Sequence, residues 1–289
     1  MHWIDVVILA VVQGLAELLP ISSSAHVIVT AKLLDENMST PANALLLVML
    51  HTGTMFAVIV YFWRQWVDTF FSSREAFIRF ARMGFVSCFL SGVVAVPLIL
   101  GVEHVLSHGN YHAQIEALFN KLNWIAPALA AVGILILWAG LREARNPETP
   151  SGAGHREVTW RQAIVMGILQ GVAIPFRGFS RSGSTISGAL LADGDRIPVE
   201  SFSFAIVVAI TPLAIARELY RLLTAESGAH TILATAIAPS LLGMVCAFFA
   251  GLIALKWLSS WLEKGRWYWF GIYCLAASVV VATLYFHGW

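Results

Sequence analysis

Polar side chains interrupt an apolar stretch near the start of the chain, in the segment Gln13-Gly-Leu-Ala-Glu17-Leu-Leu-Pro-Ile-Ser22-Ser23-Ser24-Ala-His26. Gln13 and Glu17 are four residues apart, so they share one face of a helix. An ionisable residue between apolar runs is costly to bury and by default indicates a functional site. Taken alone, Glu17 could serve helix–helix hydrogen bonding and His26 could be a buried core residue. The three serines between them favour a site for acid–base or nucleophilic chemistry.

A second polar break follows half-way along the chain, in Pro175-Phe-Arg177-Gly-Phe-Ser180-Arg181-Ser182-Gly183-Ser184-Thr185. Arginine presents a planar set of donors that matches phosphate oxygens, and backbone N–H groups at a helix start favour an anion. The alternative is a capped turn whose arginines neutralise Glu17. A carboxylate with glutamine, serine and phosphate oxygens would suit Mg²⁺ or Ca²⁺. Together the two breaks contain the groups that a phosphoryl-transfer site needs.

The two breaks occupy equivalent positions of an internal repeat. Pairs separated by 157 positions are Trp3 and Trp160, Gln13 and Gln170, Gly14 and Gly171, and Ala16 and Ala173. After one extra residue, 22–24 match 180–182. The equivalents of Glu17, Ser23 and His26 are Ile174, Arg181 and Ser184. One break therefore offers proton-transfer groups, and the other offers positive charge.

The composition places these breaks in a membrane protein. Hydrophobic residues make up 58% of the 289 residues, charged residues only 12%, and the mean hydropathy is +0.75. Six apolar segments long enough to cross a bilayer lie near 42–63, 83–101, 123–141, 199–220, 231–256 and 267–286. The net charge of +1 gives no indication of a nucleic-acid partner, and no basic residue precedes the apolar run 6–12, which argues against a cleaved signal peptide.

Each repeat begins with apolar runs too short to span a bilayer, separated by a break that contains proline and serine. This pattern predicts a helical hairpin that enters the membrane and returns, followed by three crossings. An odd number of crossings inverts the second repeat relative to the first. The expected fold class is an all-α polytopic membrane protein with six transmembrane helices and two re-entrant hairpins. Residues 1–289 would form a single membrane domain, with inverted repeats 1–142 and 160–289 and a cytoplasmic linker 143–159.

Basic residues predict the orientation. Twelve fall on one side, namely Arg64, Arg74, Arg79, Arg82, Arg142, Arg145, Arg156, Arg161, Arg196, Lys256, Lys264 and Arg266, and four on the other, Lys32, Lys121, Arg217 and Arg221. The positive-inside rule makes the first side cytoplasmic. Both termini would then lie outside, and the hairpins would enter from opposite faces and meet inside the membrane. Many transporters share this plan, so a transporter or flippase of a phosphorylated lipid is the rival to an enzyme.

The segment 13–26 and the segment Gly178-Phe-Ser-Arg-Ser-Gly-Ser-Thr-Ile-Ser-Gly188 closely resemble the two signature motifs of the undecaprenyl-diphosphate phosphatases, the bacterial membrane family associated with bacitracin resistance. The likeness extends over nearly the whole chain, including 62–64 and 200–204. The resemblance implies hydrolysis of the C55 lipid diphosphate to the monophosphate at the outer, periplasmic face of the bacterial cytoplasmic membrane. This reaction recycles the lipid carrier for cell-wall synthesis and confers bacitracin resistance. The resemblance also implies a divalent cation, Mg²⁺ or Ca²⁺, and leaves the oligomeric state open.

The resemblance also implies which residues act. The catalytic residues would be Glu17, His26, Ser23 and Arg181; the phosphate-binding residues would be Ser22, Ser24, Arg177, Ser180, Ser182, Gly183 and Ser184; the metal ligands would be Glu17 and Gln13. His26 could act as general base on water or on Ser23, or as the nucleophile. The chain departs from the family at three places: Gln13 stands where many members have glutamate, Arg177 stands where they have proline, and one extra residue precedes Gly178.

Other candidates are weaker. We expect His51, inside the first full span, to make an interhelical hydrogen bond. His104, His108 and His112 have helical spacing, but Gly109 and Asn110 argue against a metal site there. The aromatic residues Trp257, Trp261, Trp267, Tyr268 and Trp269 have the pattern of an interfacial belt. The cysteines, Cys88, Cys246 and Cys274, have the pattern of packing residues.

Overall fold

The structure, a computed structural model, describes residues 2–36, 40–106, 122–145, 157–224 and 229–287. Every regular element in these ranges is a helix, as the sequence predicts. The ten helices are α1 (Trp3–Leu18), α2 (Ser23–Leu33), α3 (Pro41–Thr69), α4 (Arg74–Leu106), α5 (Leu122–Arg145), α6 (Trp160–Ala173), α7 (Arg181–Leu191), α8 (Arg196–Thr224), α9 (Ala229–Glu263) and α10 (Tyr268–Phe286). Several positions named in the sequence analysis lie outside the described residues: His108, His112, Lys121, Arg156 and linker residues 146–156.

Six of these helices are long and apolar enough to cross a membrane, which confirms a multi-pass protein. The candidate spans are Ala42–Thr69, Arg74–Val102, Trp124–Arg145, Arg196–Leu213, Ala236–Glu263 and Tyr268–Phe286. The fourth begins three residues earlier than the sequence predicts. It starts at Arg196 because the backbone N–H of Val199 already bonds to the Asp195 carbonyl, 3.1 Å away, and so closes the first turn.

The other four helices form the two predicted hairpins. Helices α1 and α2 have 16 and 11 residues, and α6 and α7 have 14 and 11. Each is shorter than the ~20 residues that a bilayer crossing requires. Helix α1 packs against α2, and α6 packs against α7. The turn after α1 contains Pro20, which cannot continue a helix, and the turn after α6 contains Pro175 and Gly178.

The chain forms two compact units, and each unit draws on both repeats. The first contains the described residues of Met1–Leu19, Ser23–Arg64 and Val207–Leu258. The second contains those of Pro20–Ser22, Gln65–Ile206 and Ser259–Trp289. The tip of the first hairpin therefore belongs to the second unit, whereas the two helices that it joins belong to the first.

The core of the first unit forms around α1. Its buried side chains come from α1, α2, α3 and α9, and they are Val6, Leu9, Ala10, Val27, Ala31, Leu46, Leu50 and Ala247. Gly14 continues this buried face of α1 and touches α9 so closely that a Cβ there would lie 2.7 Å from the carbonyl oxygen of Ala247. This packing fixes the rotation of α1, and so the direction in which Gln13 and Glu17 point.

The second unit contains the equivalent contact, made by the hairpin of the second repeat. A Cβ on Gly171 of α6 would lie 2.7 Å from the carbonyl oxygen of Ser91 of α4. Gly14 and Gly171 are 157 positions apart, and Ser91 and Ala247 are 156 apart. The hairpin of each repeat thus packs on the equivalent span of the other repeat. In α4, the hydroxyl of Ser91 also donates to the Gly167 carbonyl at 2.9 Å.

The interpretation of the aromatic cluster as a belt is wrong for Trp267. Its side chain is completely buried, and its indole Nε1–H donates to the Ser187 hydroxyl of α7 at 2.9 Å. A buried tryptophan needs such a partner for its N–H group, and α7 provides one because Ser187 faces the start of α10. Trp257 and Trp269 are exposed, as expected of a belt.

Candidate active site

Glu17 and Ser23 are brought together by the turn of the first hairpin. Glu17 lies in the last turn of α1, and Ser23 is the first residue of α2. The Ser23 hydroxyl donates to Oε2 of Glu17 at 2.5 Å, which is the length of a charge-assisted O–H···O bond. Between them, buried Ser22 has a φ of 68°, in the left-handed region that few non-glycine residues adopt. The tight reversal at Ser22 sets the separation of the two functional groups.

Gln13 and His51 complete this polar cluster. The Gln13 amide donates to Oε2 of Glu17 at 3.1 Å and lies 3.4 Å from Nε2 of His51. The His51 Nδ1 is 2.8 Å from the Leu47 carbonyl, which can only accept, so the proton is assigned to Nδ1. Nε2 of His51 is then the acceptor for the Gln13 amide. The predicted interhelical bond of His51 is present, and its partner lies beside Glu17.

Exposure differs across the cluster. The Glu17 side chain is 13% exposed, whereas that of His51 is 43% exposed. Gln13 is buried. The sequence did not predict that His51 lies 3.8 Å from Glu17, because periodicity does not give the rotation of one helix relative to another. The only signal was a histidine directly after the apolar segment 45–50.

His26 lies in the first turn of α2 and is half-buried, as is Ser24. The resemblance implies a serine–histidine pair of Ser23 and His26. In the structure the single hydroxyl proton of Ser23 is donated to Glu17. Glu17 is therefore the group positioned to receive that proton.

The second hairpin places its arginine at the start of a helix. Gly178 has a φ of 103°, and a Cβ there would lie 2.7 Å from the Ile125 carbonyl oxygen, so this turn requires glycine. Ser180 caps α7, and its hydroxyl accepts from the Gly183 N–H at 3.2 Å. Arg181 is the first residue of α7 and is half-buried. The N–H groups and dipole of this helix start favour an anion.

Gly183, in the first turn of α7, packs against the tip of the first hairpin, and both belong to the second unit. A Cβ on Gly183 would lie 3.1 Å from Cβ of Pro20 and 2.7 Å from Cδ1 of Ile136. Pro20 is therefore in contact with the first turn of α7. Glycine allows this approach, and the tips of the two hairpins meet here.

The serines of the second motif have different surroundings. Ser182 is buried, with its hydroxyl 3.5 Å from that of Ser180. Ser184 is completely buried, and its hydroxyl donates to the Arg181 carbonyl at 3.0 Å, so in this structure it supports the helix start. Arg177 lies exposed in the turn between α6 and α7.

The donor set of the first hairpin bears on the implied metal. Among the residues that the structure describes, no three His, Cys, Asp or Glu side chains form a metal-binding group. The hairpin offers one carboxylate, from Glu17, with the amide oxygen of Gln13. Mg²⁺ usually binds through one or two carboxylates and completes its shell with water and substrate phosphates. The residues therefore fit a cation shared with a phosphate and do not fit a site built from protein ligands alone.

The chain is similar to known proteins over nearly its whole length. The family described as "Bacitracin resistance protein BacA" matches residues 6–280. Undecaprenyl-diphosphatase 2 of Acinetobacter baylyi is 48% identical over 98% of this chain and 98% of its own length. Undecaprenyl-diphosphatase of Desulfatibacillum aliphaticivorans is 34% identical over 98% of this chain and 99% of its own length.

Proposed function

The chain belongs to the BacA family of bacitracin resistance proteins, and we propose that it is an enzyme that hydrolyses undecaprenyl diphosphate. Water supplies the oxygen that forms a new bond to the terminal phosphorus, and the bridging P–O bond breaks. The products are undecaprenyl phosphate and inorganic phosphate. The names of the two relatives, each matched over almost its full length, support this substrate.

The observation that supports the chemistry most directly is the 2.5 Å hydrogen bond from Ser23 to Glu17. A carboxylate that accepts a hydrogen bond from a hydroxyl is positioned to act as a general base for it. This adds to the positioning and charge stabilisation on which phosphoryl transfer mainly depends. The side-chain amide of Gln13 donates a hydrogen bond to the Glu17 carboxylate and so orients it. The ring of His51 accepts from the same amide and orients the amide in turn.

In this proposal Glu17 takes the proton of the attacking water, and His26 gives a proton to the bridging oxygen that leaves with undecaprenyl phosphate. If Ser23 attacks in place of water, the bridging P–O bond breaks as a phosphoserine forms, and a water then hydrolyses the phosphoserine and releases inorganic phosphate.

The second motif would bind the diphosphate. Arg181 at the start of α7 supplies a permanent positive charge with planar donors. The N–H groups of the helix start, with Ser180 and Ser182 beside them, supply hydrogen bonds to phosphate oxygens. Arg177, exposed in the preceding turn, and Ser22 and Ser24 of the first motif would contribute further contacts. Charge that develops on the phosphoryl oxygens is stabilised most by groups already in place.

A divalent cation would be held by Glu17 and Gln13 together with phosphate oxygens. Such a cation neutralises charge on a phosphoryl group when it is bound. Gln13 would bind through its amide oxygen, because its nitrogen is committed to Glu17 and His51. The choice between Mg²⁺ and Ca²⁺ depends on coordination number.

We further propose that the chain lies in the bacterial cytoplasmic membrane, with both termini and the opening of the site at the periplasmic face. The distribution of Lys and Arg along the sequence supports this orientation. Release of the monophosphate there would return the carrier lipid to cell-wall synthesis. It would also deplete the diphosphate form, which is how the family's association with bacitracin resistance would arise.

The direct test is phosphate release from undecaprenyl or farnesyl diphosphate by the purified protein in detergent. We expect turnover that falls when EDTA is added and returns with Mg²⁺ or Ca²⁺. Full activity in EDTA would remove the cation from the proposal. If no polyprenyl diphosphate gives phosphate release, the result would favour the alternative hypothesis, a transporter or flippase of a phosphorylated polyprenyl lipid, with which the inverted repeat is also consistent.

A further inference from the structure

Three buried polar side chains lie in the first turns of α8 and bond to three different helices. Glu200 accepts from the Ser259 hydroxyl of α9 at 2.6 Å, and Ser201 accepts from the Trp66 indole of α3 at 3.1 Å. The hydroxyl of Ser203 lies 2.7 Å from Oγ1 of Thr185 in α7. All three are at most 2% exposed. Glu200 and Ser201 tie α8 to neighbouring spans, whereas Ser203 reaches the helix that begins with Arg181.

The direction of the bond at Ser203 follows from its neighbours. Oγ1 of Thr185 lies 2.9 Å from the Arg181 carbonyl oxygen and 3.3 Å from that of Ser182. A carbonyl oxygen only accepts, so the Thr185 proton is directed to it. Thr185 must then accept from Ser203. The result is a directed chain of hydrogen bonds from the Ser203 hydroxyl through Thr185 to the backbone of Arg181.

We infer that Ser203 is a positioning residue for Arg181 and acts through Thr185. This role rests on the proposed function, in which Arg181 binds the diphosphate. The carbonyl of Arg181 also accepts the Ser184 hydroxyl, at 3.0 Å, and carbonyls at a helix start have backbone partners in the next turn. The bond between Ser203 and Thr185 differs from these because it ties the first turn of α7 to α8. Hydrogen bonds in a buried chain polarise and strengthen one another. Loss of the Ser203 hydroxyl removes this tie, so the first turn of α7 can shift against α8 and displace the guanidinium at the end of the long Arg181 side chain.

Ser187 of α7 provides a matched control. Like Ser203 of α8, it is a buried serine with a hydrogen-bonded hydroxyl, but its partner is Trp267 and it lies more than one turn beyond Arg181. Ser187→Ala removes the same atom from the helix that begins with Arg181 and leaves the chain from Ser203 to Arg181 intact. A role in packing alone would give Ser203→Ala and Ser187→Ala the same effects.

The experiment measures kcat and KM for phosphate release from farnesyl diphosphate, with thermal unfolding of each variant in detergent. We expect Ser203→Ala and Thr185→Val each to lower kcat and raise KM, with kcat/KM reduced about tenfold, because small misplacements of a positioning group are costly. The double variant should be no worse than either single one, since both break one chain. Thr185→Ser, which keeps the hydroxyl, should recover most of the loss. Ser187→Ala should lower the unfolding temperature and leave KM unchanged.

The outcomes separate this inference from the proposed function. Wild-type protein that releases no phosphate overturns the proposed function and this role with it. Active wild-type protein with an unchanged KM in Ser203→Ala overturns the positioning role alone, even if the variant unfolds at a lower temperature. If Ser203→Ala does not fold, Thr185→Val and Ser203→Thr decide the matter: the KM should rise in the first and stay near the wild-type value in the second. Equal KM values in those two variants would overturn the role.

Discussion

Replacement of Glu17 by glutamine removes a negative charge from the end of α1 and keeps the size of the side chain. In the structure this carboxylate accepts from Ser23 and from Gln13, with only 13% of its side chain exposed. A hydrogen bond to a charged group contributes about 1.5–3 kcal/mol, and loss of one preorganised charge contact in a site costs about 3 kcal/mol. Because each 1.4 kcal/mol changes a rate about tenfold, we expect turnover by Glu17→Gln to fall at least ~100-fold. The loss of the proton acceptor for Ser23 acts in the same direction.

The assay is steady-state release of inorganic phosphate by purified protein in detergent, with thermal unfolding measured in parallel. Asp5→Asn is the matched control, since Asp5 is also a carboxylate on α1 and accepts a hydrogen bond, from the His2 N–H at 3.1 Å. We expect Asp5→Asn to keep its turnover and Glu17→Gln to keep its unfolding temperature. Turnover by Glu17→Gln above a tenth of the wild-type value would refute the role of the carboxylate as a base. A matching loss in Asp5→Asn would show that charge on α1, and not the site, is responsible.

Three further predictions test other parts of the account. Gly183→Ala should destabilise the protein by about 1–3 kcal/mol, because the added methyl overpacks the start of α7; an unchanged unfolding temperature would contradict the close approach. A cysteine placed at position 2 should react with a membrane-impermeant reagent in intact cells and one at position 152 should not; the reverse pattern would invert the orientation. His26→Ala should bind the lipid diphosphate with nearly wild-type affinity and release little phosphate, whereas Arg181→Ala should lose both affinity and rate, since arginine binds and cannot transfer a proton. Wild-type hydrolysis by His26→Ala would make His26 structural.

The sequence predicts the helices and the hairpins well because both depend on local chemistry. Long apolar runs specify spans, and Pro20, Pro175 and Gly178 specify where the short helices stop. The partner of Gln13 within α1 also follows from helical spacing, and its bond to Glu17 is present.

The partners across helices could not be predicted in the same way. His51 lies beside Glu17 because of how α3 is rotated, and Trp267 is buried because Ser187 of α7 offers an acceptor. Neither rotation nor the choice of acceptor has a local sequence signal. The same holds for Ser203, since a serine in an apolar span reads as a small packing residue until its partner Thr185 is seen.

The two repeats share their helix packing but differ in the side chains near the hairpin tips. Gly14 and Gly171 make the same close approach to equivalent spans, so both hairpins need a small residue at that place. Nearer the tips the repeats differ, and there Glu17 corresponds to Ile174 and Ser23 to Arg181. The close helix contact is therefore the same in both repeats, whereas the polar and charged side chains near the tips are different. Glu17 and Arg181 lie at neighbouring but different positions of the two repeats. In the proposed function one hairpin therefore supplies a proton acceptor and the other a fixed positive charge, which suits phosphoryl transfer because that reaction depends on positioning and charge stabilisation.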